Sequence, residues 1–178
     1  MDIKGSKTEK NLLMTFAGEA RARDKYDFYG EKANQEGLQY IGDVFKETAH
    51  NEYAHAREAY GRFLKKVRNT EMNLLDAAQG ESEESNNIYK EFEKTARMEG
   101  FEEVANFFKE LAEVEENHEK RFMDIYNQLK AGTLYKKDKP SRWQCTNCGY
   151  IYEGTEVPAQ CPLCKFPRGY FAPYCEKH

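Results

Sequence analysis

Two copies of one spaced pair, Glu52-x-x-His55 and Glu115-x-x-His118, constrain this chain more than any other feature. A carboxylate and an imidazole three residues apart share one face of a helix. At helical spacing around the first pair lie Ile41, Val44, Phe45, Thr48, Ala59 and Phe63. Around the second lie Val104, Phe108, Leu111, Phe122, Ile125 and Leu129. Each pair therefore falls in an apolar stripe, the side a helix turns toward its core. Carboxylates placed there are costly unless something compensates them. Two such pairs suggest a common compensator, and a pair of metal ions is the simplest.

Four long helical patterns carry these pairs. The first opens at Ser6-x-x-Glu9, a capping box, and runs to about Glu36, stopping at Gly37. The second is expected from about Leu38 to Val67, the third from Gly80 to Gly100, and the fourth from Phe101 to about Ala131, closed by Gly132. Tight joints at Gly37 and Gly100 predict two antiparallel hairpins. Between them lies a connection from about Arg68 to Gln79, which fully extended could reach roughly 40 Å, enough to cross the length of a bundle. Short, long, short connections match the ferritin-like four-helix bundle.

An internal echo supports that plan. Glu19 precedes Glu52 by 33 residues, and Glu81 precedes Glu115 by 34. Each hairpin thus offers one carboxylate from its first helix and Glu-x-x-His from its second, the ligand plan of di-iron carboxylate bundles. Glu84 lies one turn beyond Glu81, so the candidate ligands are Glu19, Glu52, His55, Glu81, Glu84, Glu115 and His118. Four carboxylates balance two ferrous ions. A fifth balances a hydroxo-bridged ferric pair, which carries one more positive charge. Carboxylate suits the harder oxidised ion and imidazole suits the ferrous one. Glu84 and His55 are therefore expected to exchange at one metal when the site is reduced. Tyr26 and Tyr89 project from the ligand faces, where their hydroxyls could hold ligand carboxylates by hydrogen bonds. Arg23 and Arg97 lie near enough in sequence to pair with one or two of these acids.

All five cysteines fall between Cys145 and Cys175. Cys145-x-x-Cys148 and Cys161-x-x-Cys164 predict two facing knuckles and a tetrahedral four-thiolate site for iron or zinc. A structural zinc ribbon would have the same spacing, but a neighbouring di-iron site needs a source of electrons. Cys175 is left over and reads as an incidental thiol. The expected organisation is a helical domain over residues 1–134, a charged, proline-containing linker over 135–141, and a metal module over 142–178. The last is too short to fold reliably on an apolar core alone.

Several function classes are disfavoured. The net charge is −4 with no basic stripe, against a nucleic-acid partner. No apolar run could span a bilayer, and Met1–Ser6 lacks the apolar core of a signal peptide, so the cytoplasm is the expected compartment. No Gly-x-Gly-x-x-Gly follows a strand, so a nicotinamide would be bound by some other protein.

The chain resembles the rubrerythrins over essentially its whole length. The resemblance rests on Phe16-Ala-Gly-Glu-Ala-Arg-Ala-Arg23, Glu52-x-x-His55, Gly80-Glu81-x-x-Glu84, Glu115-x-x-His118-Glu-Lys-Arg-Phe122, Trp143-x-Cys-x-x-Cys-Gly-Tyr150 and Cys161-Pro-x-Cys164. It implies a ferritin-like bundle followed by a rubredoxin-like Fe(Cys)4 module, and a non-heme di-iron peroxidase that reduces hydrogen peroxide to water. Electrons would come from an external NAD(P)H-dependent reductase, by way of rubredoxin, through the thiolate iron. It further implies that Glu52 and Glu115 bridge the irons, that Glu19, Glu81 and His118 are terminal ligands, and that one iron moves between Glu84 and His55. The family assembles as head-to-tail homodimers or larger. Iron storage with ferroxidase activity, oxygen or superoxide reduction, and a zinc-ribbon interaction protein are the rival readings.

Overall fold

Ser6 caps the first helix as its spacing predicts: its hydroxyl accepts the Glu9 amide at 3.1 Å, while Glu9 accepts the Gly5 amide at 2.6 Å. The computed structural model describes residues 3–175. Helix α1 spans Lys7–Gln35 and α2 spans Gln39–Arg57, continued by a π-helical turn over Glu58–Phe63. Helix α3 spans Thr70–Glu83, a second π turn covers Glu84–Ile88, and α4 covers Tyr89–Met98. Helix α5 runs over Glu102–Lys130. The chain divides between Asn69 and Thr70 into two compact units.

The hairpin turns are alike in detail. Gly37 and Gly100 hold φ of +78° and +84°, a left-handed conformation that a side chain would strain. At each, two amides return to the helix end: Gly37 to Asn34 and Leu38 to Ala33, Gly100 to Arg97 and Phe101 to Ala96. This double return satisfies carbonyls that the helix leaves unpaired. Gly132 ends α5 in the same way.

Two expectations need correction. The third helix begins at Thr70, ten residues before Gly80, because Leu74, Leu75 and Ala78 continue its apolar face backward. The connection, expected over about Arg68 to Gln79, is instead residues 64–69. The second helix stops at Phe63, short of Val67, where Lys65 turns left-handed at φ 52°.

The hairpins have thin cores. Among the described residues, those buried in the helices are Ala33, Ala49, Ala56, Ala59, Ala78, Ala96, Ala105, Ser85 and two glycines, Gly30 and Gly42. Small residues let two backbones approach closely, but they bury little apolar area. Ile41, Val44, Phe92 and Val104 each stay about 45% exposed.

The C-terminal module packs differently. Strands β1 (Lys136–Cys145), β2 (Ile151–Glu156) and β3 (Phe171–Pro173) form an antiparallel sheet in the order β2-β1-β3. The segment 136–141, expected as a linker, is the first half of β1. Its pairing with β2 is irregular between Lys136 and Ser141, and Pro140 falls in that gap, where a missing amide costs nothing. Trp143, Cys145, Val157, Cys161 and Phe171 form the buried cluster, and the Trp143 indole N–H donates to the Gly154 carbonyl at 3.2 Å.

Candidate metal centres

Each hairpin gathers three of the expected ligands. In the first, Glu19 from α1 meets Glu52 and His55 from α2; in the second, Glu81 from α3 meets Glu115 and His118 from α5. One ligand atom from each residue lies within 4.8 Å of the others. The groups are nearly superimposable in their distances. His55 Nδ1 sits 2.8 Å from Glu52 and 3.6 Å from Glu19; His118 Nδ1 sits 2.7 Å from Glu115 and 3.7 Å from Glu81. Nδ1 is thus the nitrogen turned to the carboxylates in both. Glu52 and Glu115 are the more enclosed, with side chains 17% and 12% exposed against 60% and 47% for the histidines.

The electrostatics show what these groups lack. Glu19 is raised above the usual carboxylate range, first by its hydrogen bond to Glu52 and then by burial and the Glu52 charge. Glu52 is correspondingly lowered by that bond and by His55, and His55 is raised chiefly by Glu52. Glu81 is raised by burial, then by its hydrogen bond to Glu115 and the charge there. Carboxylates this close must hold a proton between them or a cation in its place. The donor set of carboxylate oxygens and imidazole suits iron, so the residues fit the metal.

Glu84 opens the π turn of the second unit. It lies close enough to raise Glu81, and it takes part in raising the Tyr89 phenol. That shift comes first from burial, then from the charges of Glu84, Glu115 and Glu81, and last from a hydrogen bond to Glu84. Tyr89 also stacks on Phe108 at 6.2 Å. Its counterpart Tyr26 lies 6.2 Å from Phe45. The π turn also explains the uneven echo: it adds one residue between Glu81 and Gly100, which is why the second spacing is 34 and the first 33. π turns of this kind recur at functional sites. The arginines do not serve the ligand acids in these contacts. Arg23 reaches Asp27 and lies over the Tyr53 ring, and Arg97 pairs with Glu93 and Glu102.

The four cysteines converge on one point. Cys145 and Cys164 sulfurs lie 3.7 Å apart, as do those of Cys148 and Cys161. A tetrahedral ion with metal–sulfur bonds of about 2.3 Å separates its sulfurs by about 3.8 Å, so the cage is the right size. Each knuckle closes on a left-handed residue, Gly149 at φ +78° and Lys165 at φ 63°. The Gly149 and Lys165 amides return to the carbonyls of Cys145 and Cys161. The Phe166 backbone amide favours the Cys164 thiolate and holds it down to about 6. The Tyr150 backbone favours the Cys148 thiolate, but burial beside the other sulfurs outweighs it and pushes that thiol up to about 12. A cation would release that proton. Cys175 is exposed and takes no part in the four-sulfur group.

Comparison with known proteins decides the family. The family model described as Rubrerythrin matches residues 10–73 and 72–146, and the model for its rubredoxin-like domain matches residues 143–172. The chain belongs to the rubrerythrin family. Rubrerythrin of Nitratidesulfovibrio vulgaris is 40% identical over 95% of both chains. Rubrerythrin of Porphyromonas gingivalis is 40% identical over 96% of this chain and 92% of its own. A solved nigerythrin, in a partially reduced state, aligns at 28% identity and a TM-score of 0.37, covering 94% of this chain and 86% of that one. As a rubrerythrin, the chain combines a rubredoxin-like four-cysteine iron site with carboxylate and histidine groups for iron. Among the described residues, no helix is long and apolar enough to cross a membrane.

Proposed function

We propose that this rubrerythrin reduces hydrogen peroxide to water at a di-iron centre made from Glu19, Glu52, His55, Glu81, Glu84, Glu115 and His118. The observation that carries the reading is the pair of congruent Glu/Glu/His groups in a chain that also carries a four-thiolate cage. When bound, the iron pair supplies the two electrons that peroxide needs for its O–O bond to break. Two protons complete the balance, giving two waters.

The chain's own groups do the rest. Glu52 and Glu115, more enclosed than Glu19, Glu81 and the two histidines, would be the carboxylates shared by the metals, with Glu19, Glu81 and His118 as ligands to one metal each. Glu84 and His55 would be alternative ligands to one metal, since carboxylate suits the oxidised ion and imidazole the reduced one. The Tyr89 hydroxyl lies beside Glu84, close enough to feel its charge, and could steady that carboxylate by a hydrogen bond when it is not a ligand. Cys145, Cys148, Cys161 and Cys164 would hold a single iron able to pass on electrons one at a time, with a rubredoxin or an NAD(P)H-dependent reductase as the donor. A head-to-tail homodimer would bring this iron near the di-iron site of another copy. Four thiols poised for metal fit a reducing compartment, the cytoplasm.

The test is anaerobic. The protein is fully reduced, mixed rapidly with peroxide, and followed at the separate absorptions of the thiolate iron and the iron pair. Rapid reoxidation of the pair, with the thiolate iron following, is expected. Reoxidation no faster than with oxygen or superoxide would refute peroxide as the substrate.

A further inference from the structure

Lys165 holds a backbone conformation that its twin in the other knuckle meets with glycine. Its φ of 63° is left-handed, as is that of Gly149 at +78°. Glycine takes that conformation without strain, and a lysine does not. The backbone work of the two residues is the same. Each amide returns to the first cysteine carbonyl of its knuckle, Gly149 to Cys145 and Lys165 to Cys161. The backbone just beyond each favours a thiolate, Tyr150 that of Cys148 and Phe166 that of Cys164. Glycine suffices for this at position 149, so the backbone does not call for a side chain at 165. Strain held at a site is a reason to look for a role, and what the lysine adds is a charge.

That charge is held at the mouth of the cage. The Lys165 ammonium donates to the Pro162 carbonyl at 3.0 Å, so the side chain folds back across its own knuckle. Pro162 directly follows the ligand Cys161, which puts the ammonium on the order of 10 Å from the centre of the four sulfurs. The knuckle segments 145–150 and 161–170 contain two cations, Lys165 and Arg168, and no Asp or Glu. Arg168 is matched by Glu156 at 3.4 Å, whereas Lys165 meets a neutral carbonyl.

We infer that Lys165 tunes the thiolate iron: its fixed positive charge favours the reduced cage and raises the reduction potential. The inference rests on the reading that the cage holds iron. Four thiolates carry one net negative charge around ferric iron and two around ferrous iron. Reduction adds one electron from the external donor and no proton, so a neighbouring cation stabilises the product more than the reactant. At about 10 Å, with screening between that of water and that of a protein surface, one charge moves this equilibrium about two- to fivefold. The lysine touches neither peroxide nor metal. It acts through the sulfur-bound ion, making it the easier acceptor for a one-electron donor at some cost in local stability.

Spectroelectrochemical titration of the iron-loaded protein at low ionic strength tests this, with the thiolate-to-iron colour as the signal. Lys165→Gly and Lys165→Asn remove the charge and keep residues suited to a left-handed backbone. Lys165→Arg keeps the charge, and Lys165→Glu reverses it. The two neutral variants should shift the equilibrium against ferrous iron by the same two- to fivefold, a potential about 20–40 mV lower. Lys165→Glu should shift it about four- to twenty-five-fold, about 35–80 mV lower, and Lys165→Arg should match the wild type. Added salt should shrink all these differences. A side chain with only a packing role would not grade the potential by charge. Equal potentials in all five proteins, or Arg and Gly variants shifted alike, overturn the inference while leaving the iron reading intact. If Lys165→Glu does not load iron, the Gly, Asn and Arg variants decide the matter. A wild-type cage that is colourless, zinc-filled and without a reduction wave removes both.

Discussion

Gly149 and Lys165 occupy the same place in the two cysteine knuckles and the same left-handed conformation, yet one is glycine and the other is not. This sets up a matched pair of substitutions. A methyl added at Gly149 meets nothing within 4 Å, so Gly149→Ala costs only what the backbone conformation costs. That is about 1–2 kcal/mol for an ordinary residue held left-handed. Lys165 already bears the same cost, offset in small part by its ammonium donating to the Pro162 carbonyl at 3.0 Å, an exposed contact. Lys165→Gly should therefore stabilise the folded module by up to about 1 kcal/mol, less the extra entropy glycine loses on folding. The assay is the rate at which the iron-loaded module surrenders its metal to a chelator, followed by loss of the thiolate-to-iron colour. Gly149→Ala should speed release about five- to thirty-fold, and Lys165→Gly should leave it unchanged or slow it. An unchanged rate in Gly149→Ala would show that the knuckle does not need the left-handed residue, and the reasoning would fail.

Other outcomes follow from the same contacts. Cys161→Ser should abolish metal binding by the C-terminal module while far-ultraviolet dichroism of the helices persists, whereas Cys175→Ser should change neither; loss of the colour in the second variant would place Cys175 in the cage. Tyr89→Phe removes the hydroxyl beside Glu84 and should weaken binding of one iron of the pair about 10–100-fold, read from anaerobic iron titration; an unaltered isotherm would remove the tyrosine from the site. His55→Asn should slow peroxide turnover while leaving the thiolate iron's spectrum intact, and unchanged kinetics would contradict the exchange with Glu84. In the metal-free protein the Tyr89 phenol, raised by burial and neighbouring carboxylates, should ionise above the usual tyrosine range. Its contribution to stability is full below the unfolded value near 10 and fades as pH climbs through the folded one. An ultraviolet titration in which Tyr89→Phe leaves the late-ionising tyrosine in place would refute this.

Much of this was legible in the residues. The Glu-x-x-His spacing, the ligand carboxylates Glu19 and Glu81, and the turn glycines Gly37, Gly100 and Gly132 each follow a local rule, and the structure places them as those rules require. The two Cys-x-x-Cys knuckles do too, since the spacing fixes how the thiols converge. What escaped involved competing rules. Gly80 looked like a helix start because glycine disfavours helix interiors, but the apolar residues before it carry the helix back to Thr70. Lys136–Ser141 looked like a linker because of its charges and Pro140, yet β-pairing at a bulge tolerates both. The π turn at Glu84 had a signal in the one-residue mismatch between the two Glu spacings. An inserted residue in a helix has few other outlets.

The central claim is that one chain carries iron in two chemically distinct settings, a lone thiolate-bound ion and a carboxylate-bridged pair. Mössbauer spectroscopy of the oxidised protein, loaded with the iron-57 isotope, tests it most directly. The account predicts a spin-coupled, diamagnetic ferric pair and a separate high-spin ferric tetrathiolate component, in an intensity ratio of two to one. A spectrum with the tetrathiolate component alone, or with the remaining iron as uncoupled single ions, would contradict it.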